Sequence, residues 1–193
     1  GSEMCIRDSY CKAAMDAGAM IRSGSIVTAM TRNGNMFGIR VSGLGERWFT
    51  APVNTPQGLF FTGFSQDLAN PDMGDSAITE TFGIGGAAMI AAPGVTRFVG
   101  AGGMEAARAV SEEMAEIYLE RNMQLQIPGW DFQGACLGLD IRRVVETGIT
   151  PLINTGIAHK EAGIGQIGAG TVRAPLACFE QALEALAESM GIG

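Results

Sequence analysis

Ser25-Ile-Val-Thr-Ala-Met-Thr-Arg-Asn-Gly-Asn-Met-Phe-Gly-Ile-Arg-Val-Ser42 is the stretch that decides the fold class. Two apolar, β-branched runs, Ser25 to Thr31 and Met36 to Ser42, flank Arg32-Asn-Gly-Asn35. Asn-Gly supplies the positive φ angles of a tight hairpin, and a hairpin pairs its strands antiparallel. Arg47 to Ala51 and Gly58 to Thr62 read as third and fourth strands, with Pro52 and Pro56 breaking the connection. The front of the chain is therefore sheet-like.

Outside this region the periodicity turns helical. Lys12 to Ser23 reads as a short helix ended by Gly24, and Met104 to Arg121 is the clearest amphipathic stretch. Asp75 or Ser76 caps a Gly- and Ala-rich helix over Ala77 to Ala92, which Pro93-Gly94 stops, and Val95 to Val99 reads as a strand. Asp140 caps a helix over Ile141 to Thr147 that Gly148 terminates. Pro151 to Asn154 is a buried strand, and Pro175 opens a last helix striped with Leu176, Phe179, Leu183, Leu186 and Met190. Trp48 and Trp130 are packing residues, and Met73, Met89, Met104 and Met114 are core filler. The fold class expected is α+β: a mixed, mainly antiparallel sheet with packed helices, one piece of a larger multidomain protein.

Composition narrows function by exclusion. The chain has 193 residues, a net charge of −7 and a pI near 4.7, which disfavours broad attraction to nucleic acid or anionic membrane. The uncharged run Thr81 to Thr96 is too short for a bilayer span and is interrupted by Gly and Pro. Four cysteines without a C-x-x-C pair, beside one histidine, give little support to a zinc cage or a disulfide framework and fit a reducing cytoplasm. G-x-S-x-G, P-loop and H-E-x-x-H signatures are absent from the sequence.

The chemistry-bearing stretch is Ala158 to Arg173. Gly163, Gly165 and Gly168 satisfy G-x-G-x-x-G, but the run opens into no helix and no acidic residue follows at dinucleotide spacing. A structural turn is the favoured reading, and an oxyanion or phosphate cradle stays open. His159, the single histidine, is the candidate catalytic acid. Arg32, Arg173, Lys160 and Asn154, with the backbone of the three glycines, are candidate anion-binding groups. Gln66 to Ser76 concentrates carboxylates; it reads as a capping turn, with Asp72 and Asp75 as weak candidates for a hard cation such as Mg2+. No other cofactor is evident.

Met30-Thr-Arg-Asn-Gly34, Phe37-Gly-Ile-Arg-Val-Ser-Gly43, Arg47-Trp-Phe-Thr-Ala-Pro52, Asn70-Pro-Asp72, Gly74-Asp-Ser-Ala-Ile-Thr-Glu-Thr81, Val145-Glu-Thr-Gly148 and Ile153-Asn-Thr-Gly-Ile-Ala-His-Lys160 together resemble the YlbE-like family, in consistent order from about Ser23 to Leu186. That bacterial family is connected with the large AllG-type subunit of oxamate carbamoyltransferase. The resemblance implies a longer protein, partner subunits, and conversion of oxalurate and phosphate to oxamate and carbamoyl phosphate in allantoin and purine nitrogen breakdown. It carries over no catalytic residue. Gly1 to Ser9 lacks any amphipathic period and resembles an adapter-derived tail, so residues 10–193 are expected to be a C-terminal part, inactive alone. A non-catalytic scaffold or regulatory subunit is the alternative, and an unrelated small-acid or nucleotide binder is a third reading. The catalytic reading requires Arg32 and His159 to converge on one cleft.

Overall fold

The computed structural model describes residues 2–98, 100 and 102–192. The Asn-Gly turn forms as its chemistry dictates. β1 (Val27–Asn33) and β2 (Met36–Val41) pair antiparallel, with Arg32 opposite Phe37. Asn33 Oδ1 accepts the backbone N–H groups of Asn35 and Met36 at 3.1 and 2.8 Å, and Gly34 takes φ +86°. β3 (Phe49–Pro52) adds to β2, and β5 (Met73–Ser76) adds to the other side of β1, giving the order β3-β2-β1-β5. A second sheet runs β4 (Gln57–Phe60), β9 (Gln166–Arg173), β8 (Leu152–Ala158), and β6 (Tyr118–Ile127) with β7 (Gln133–Leu139) forms a separate ribbon. Every pairing is antiparallel.

Helices α1 (Ser2–Ala19), α2 (Ile78–Phe82), α3 (Pro93–Phe98), α4 (Met104–Ala115), α5 (Ile141–Thr147) and α6 (Leu176–Ser189) pack on these sheets. α6 covers β2 and β3, α5 lies against α6, and α2 lies on β1. The α+β class read from the sequence is the one observed. Trp130, Tyr118, Phe37 and Phe179 are the largest fully buried side chains, each worth about 2–3 kcal/mol by burial. They share one core to which both main sheets and the ribbon contribute.

Several local readings are corrected. α1 starts at Ser2 and ends at Ala19, so it begins earlier and stops earlier than Lys12 to Ser23. The helix expected over Ala77 to Ala92 ends at Phe82, because Gly83 turns left-handed at φ +110° and a Cβ there would collide with Cys136 O. A 3-10 stretch, Gly85–Ala91, follows. Pro93 seeds α3 where a strand was expected, Pro being well suited to a first helical turn; Val99 lies outside the described residues. α4 stops at Ala115, and Tyr118 and Arg121, which fit its stripe, pair instead with Leu139 and Cys136 across the ribbon. β5, β6, β7 and β9 were not anticipated as strands. Met89 and Met114 are core residues, whereas Met73 and Met104 are half-exposed. Trp130 is buried beneath the Arg121 guanidinium at 4.1 Å, while Trp48 is half-exposed beside Arg40.

Cys11, Cys136 and Cys178 are free and buried. Burial pushes the Cys136 and Cys178 thiols up to about 11, which leaves them unreactive near neutral pH. Among the described residues, no helix is long and apolar enough to cross a membrane.

The close approach at Gly83 is testable. Gly83→Ala is expected to cost at least about 2 kcal/mol, measured by urea unfolding. Gly94→Ala, at a helical position with nothing within 4 Å of the added methyl, is expected to be neutral or stabilising by about 0.5–1 kcal/mol. Equal midpoints for both variants would contradict the assignment of Gly83 as the point that ends α2.

Candidate functional site

The two main sheets meet where β5 packs against β8, and residues 66–72 lace the seam together. Asn70 N donates to Ala158 O at 2.8 Å, Asp72 N to Asn54 O at 2.9 Å, Gly34 N to Asp72 O at 2.9 Å, and Lys160 N to Leu68 O at 2.9 Å. The bonds from Asn70 to Ala158 and from Lys160 to Leu68 tie this segment to the β8 end of the second sheet, and the bond from Gly34 to Asp72 ties it to the β1–β2 turn of the first. The backbone around Asp72 is thereby fixed before any side chain is considered.

Beneath the seam lies a buried ion pair. Arg32 projects from β1 with 7% exposure, and its Nε is 3.2 Å from Oδ2 of Asp72, which is 1% exposed. Arg32 Nη2 donates to Thr155 Oγ1 at 3.3 Å. The Thr155 hydroxyl has Asp72 Oδ1 and Gly156 O at 3.1 Å each, so one proton serves two acceptors. Gly74 lets the guanidinium lie against the chain, since a Cβ there would stand 3.0 Å from Nη2. Burial raises the Asp72 carboxyl above its ordinary value, with Arg32 and Thr155 pulling it partly back.

A cleft of ≈ 670 Å³ opens over this pair, walled by Arg32, Glu80, Asn154, Thr155, His159 and the turn carrying Gly163 and Gly165. Glu80, 3% exposed, has both oxygens occupied: Oε1 accepts Gly86 N at 2.9 Å and Asn154 N at 3.3 Å, and Oε2 accepts Thr79 Oγ1 at 2.7 Å. It locks α2 and the 3-10 stretch onto β8. His159, half-buried just beyond β8, accepts Glu161 N at Nδ1, 2.9 Å away, so the proton of the neutral ring sits on Nε2. Its own backbone N–H donates to Gly165 O at 2.9 Å and closes the β8–β9 turn. Arg7 and Arg32 are balanced around the cleft by Asp8, Glu80 and Glu161. The cleft therefore carries no net positive field.

Of the residues singled out in the sequence, Arg32, Asn154, His159, Gly163 and Gly165 share this cleft. The others lie elsewhere. Arg173 donates to Glu113 Oε2 at 2.6 Å and to Thr150 O at 2.8 Å. Gly168 sits within β9, where it leaves room for Leu59 O on β4. Lys160 Nζ holds Asp67 O at 2.9 Å. The glycine run is a hairpin turn between two antiparallel strands, not a strand-to-helix turn. Asp72 faces Arg32 and Thr155, which occupies the carboxylate that was considered for a cation. The Asp75 side chain lies outside the described residues. Among the described residues, no group of three or more His, Cys, Asp or Glu side chains gathers as a metal site.

Glu80, Thr155 and Gly74 were not recognised from sequence. All three fall inside the stretches that carry the family resemblance, and Glu80 is also the last charged residue before the uncharged run Thr81 to Thr96.

Fold and cleft define an α+β protein with a polar, small-molecule-sized cleft between two antiparallel sheets. Residues 5–76 match the family described as oxamate carbamoyltransferase subunit AllG. Over 185 residues the chain is 97% identical to a protein named oxamate carbamoyltransferase subunit AllG from Escherichia coli (strain K12), covering 96% of this chain and 44% of that relative. It is 50% identical over 184 residues to an uncharacterized protein, YahG, of the same organism, covering 95% of this chain and 39% of that one. A crystal structure of a conserved protein of unknown function from Enterococcus faecalis V583 superposes with a TM-score of 0.91 at 49% identity, covering 95% of this chain and 44% of that one. The chain thus spans less than half the length of the curated relatives it matches. These names agree with the carbamoyltransferase side of the resemblance, and the YlbE-like label remains a resemblance.

The Asp72 environment yields a measurable sign. Thr155→Val removes a hydroxyl that lowers the Asp72 carboxyl, so its NMR-detected pKa is expected to rise further, at a stability cost of about 1–2 kcal/mol. A folded carboxyl that titrates above its unfolded value adds stability fully below about 3.8 and loses it as pH rises through the raised value. The variant is therefore expected to carry that loss to higher pH. An unmoved or lowered Asp72 titration would remove Thr155 from the network.

Proposed function

We propose that this cleft is where a subunit of an oxamate carbamoyltransferase-type complex holds its small anionic substrates, oxalurate and phosphate in one direction, oxamate and carbamoyl phosphate in the other. The observation that carries the reading is the convergence of Arg32 and His159, from two different sheets, on one ≈ 670 Å³ cleft. The near identity to a named subunit of that enzyme supports it. Such a complex would serve allantoin and purine nitrogen breakdown in the cytoplasm, with further subunits as partners.

The chemistry asks for three things. A phosphate oxygen attacks the ureido carbonyl carbon, a C–O bond forms, and the C–N bond to the oxamyl nitrogen breaks. The negative charge developing on the carbonyl oxygen needs preorganised donors, and the departing nitrogen needs one proton. In this reading Arg32, fixed by Asp72, grips a carboxylate or phosphate, a guanidinium being suited to bidentate contact. In this reading main-chain N–H groups of the turn at Gly163 and Gly165, which line the cleft, serve the oxyanion. His159, whose neutral tautomer carries its proton on Nε2, delivers the proton and regains it from the attacking phosphate.

A scaffold role is the second reading, favoured by the exposed Met123, Leu125, Phe132 and Leu137 on and around the β6–β7 ribbon. One experiment separates the two. In the full-length protein assembled with its partner subunits, His159→Ala is expected to slow phosphate-dependent loss of oxalurate by about 10²–10³-fold with assembly intact. Arg173→Gln, outside the cleft, is expected to leave the rate within about twofold. Unchanged turnover in His159→Ala would exclude the catalytic assignment and favour the scaffold.

A further inference from the structure

At the end that carries the β6–β7 turn, the ribbon puts large apolar side chains into solvent by two separate features of its backbone. Asn122 pairs with Ala135 and Gln126 with Gly134, so Met123, Gln124 and Leu125 have no partners on β7 and are looped out of the ladder. Asn122 Oδ1 accepts Gln124 N at 3.1 Å and shapes the loop, and Gly134 admits it, since a Cβ there would stand 2.5 Å from Asn122 O. In the turn, Asp131 and Phe132 follow each other at φ +53° and +58°, a conformation bulky residues rarely adopt. The turn is nonetheless fixed. Trp130 is buried in the core, and Arg108 reaches from α4 to Gly129 O at 3.1 Å and to Asp131 Oδ2 at 3.5 Å. Met123 is thereby held 59% exposed and Phe132 62% exposed. Leu125 joins Ile84, Ala88, Met89, Val95 and Ile127 in lining a groove of ≈ 560 Å³ beside the ribbon.

A strained turn that holds an aromatic ring in water, next to an open apolar groove, has the make-up of one side of an interface. The relative with 97% identity is more than twice as long as the stretch it shares with this chain. There a ribbon of nearly the same residues belongs to a polypeptide whose remaining part is tied to it covalently, at an effective concentration of about millimolar. A separate subunit has no such advantage. Contacts between parts of one chain bury about 600–1,500 Å², which is ample for this end of the ribbon and its groove. We propose that the face is an intramolecular seat: the remainder of the full-length polypeptide covers Met123, Leu125 and Phe132, presenting an apolar recess to Phe132 and an apolar side chain to the groove. Burial of apolar surface holds the contact, and charge does not, since Arg108 already faces Glu112 and Asp131. The assignment is independent of the chemistry in the cleft, and it makes docking of a partner subunit on this face, which the scaffold role calls for, the competing outcome.

Hydroxyl-radical oxidation read by mass spectrometry tests this in the full-length protein purified without partner subunits, each residue's rate being divided by its rate in denaturant. Met123 and Phe132 are expected to oxidise about tenfold or more slowly than in denaturant, as side chains at the desolvated centre of an interface do, and equally so at low and high protein concentration. Left uncovered, both would react close to the denatured rate. Phe132→Asp is expected to return Met123 to near that rate while Met114, fully buried in the core, stays protected and reports an intact fold. Wild-type rates near those in denaturant overturn the proposal. Protection that appears only with partner subunits assigns the face to them, and protection lost on dilution assigns it to a second copy; either result overturns the proposal too. So does a Met123 that stays protected in Phe132→Asp, because one seat would then not cover both side chains. If Phe132→Asp exposes Met114, the wild-type rates alone decide.

Discussion

The buried contact between Arg32 and Asp72 is the constraint that organises the rest of the molecule. Moving two charges out of water costs several kcal/mol for each, and the pair recovers this only if geometry and neighbouring hydrogen bonds are right. Each neighbour meets a part of that requirement. Gly74 leaves space for the guanidinium, Thr155 adds a hydroxyl from the second sheet, and the main chain at Asp72 is pinned by Gly34 and Asn54. A one-residue slip of β1 would send Arg32 to the opposite face of its sheet and strand Asp72 as an unpaired buried carboxylate. The ion pair thereby fixes the register of β1 against β5, and through Thr155 the position of β8.

What could be read from the sequence follows from how local each cause is. The β1–β2 hairpin was legible because Asn33 and Gly34 determine their turn within four residues. α5 was legible to the residue because Asp140 caps it and Gly148 ends it, and the structure shows both, Asp140 Oδ1 accepting Arg142 N at 2.9 Å and Gly148 at φ +71°. β9 was illegible because its glycines look like a loop until β4 and β8 lie on either side. Gly168 and Gly170 are there so that neighbouring backbones can approach closely. The end of α4 was illegible for the converse reason: Tyr118 and Arg121 satisfy a helical stripe, and only pairing with β7 makes them strand residues.

The site divides along the same line. The types of Arg32, His159 and the turn glycines suggested chemistry, and the fold gathers them. The sequence carried no sign that Asp72, forty residues from Arg32, would be its partner. Arg173, judged by residue type alone, looked as eligible as Arg32. The difference lies in their partners: Arg173 meets Glu113 at a half-exposed position, where an ion pair is screened and worth little, whereas Arg32 is held rigidly at the base of a cleft.

That rigidity bears on the anion binding proposed for an acidic chain. With carboxylates matching cations around the cleft, long-range attraction contributes little, and recognition falls to hydrogen bonds of fixed direction. A mobile surface arginine would have to be ordered at the moment of binding, at a cost of roughly 0.5–1.5 kcal/mol in side-chain entropy. Arg32 has met that cost in folding, through Asp72 and Thr155. A site built in this way discriminates by the order of donors and acceptors along the ligand more than by its charge.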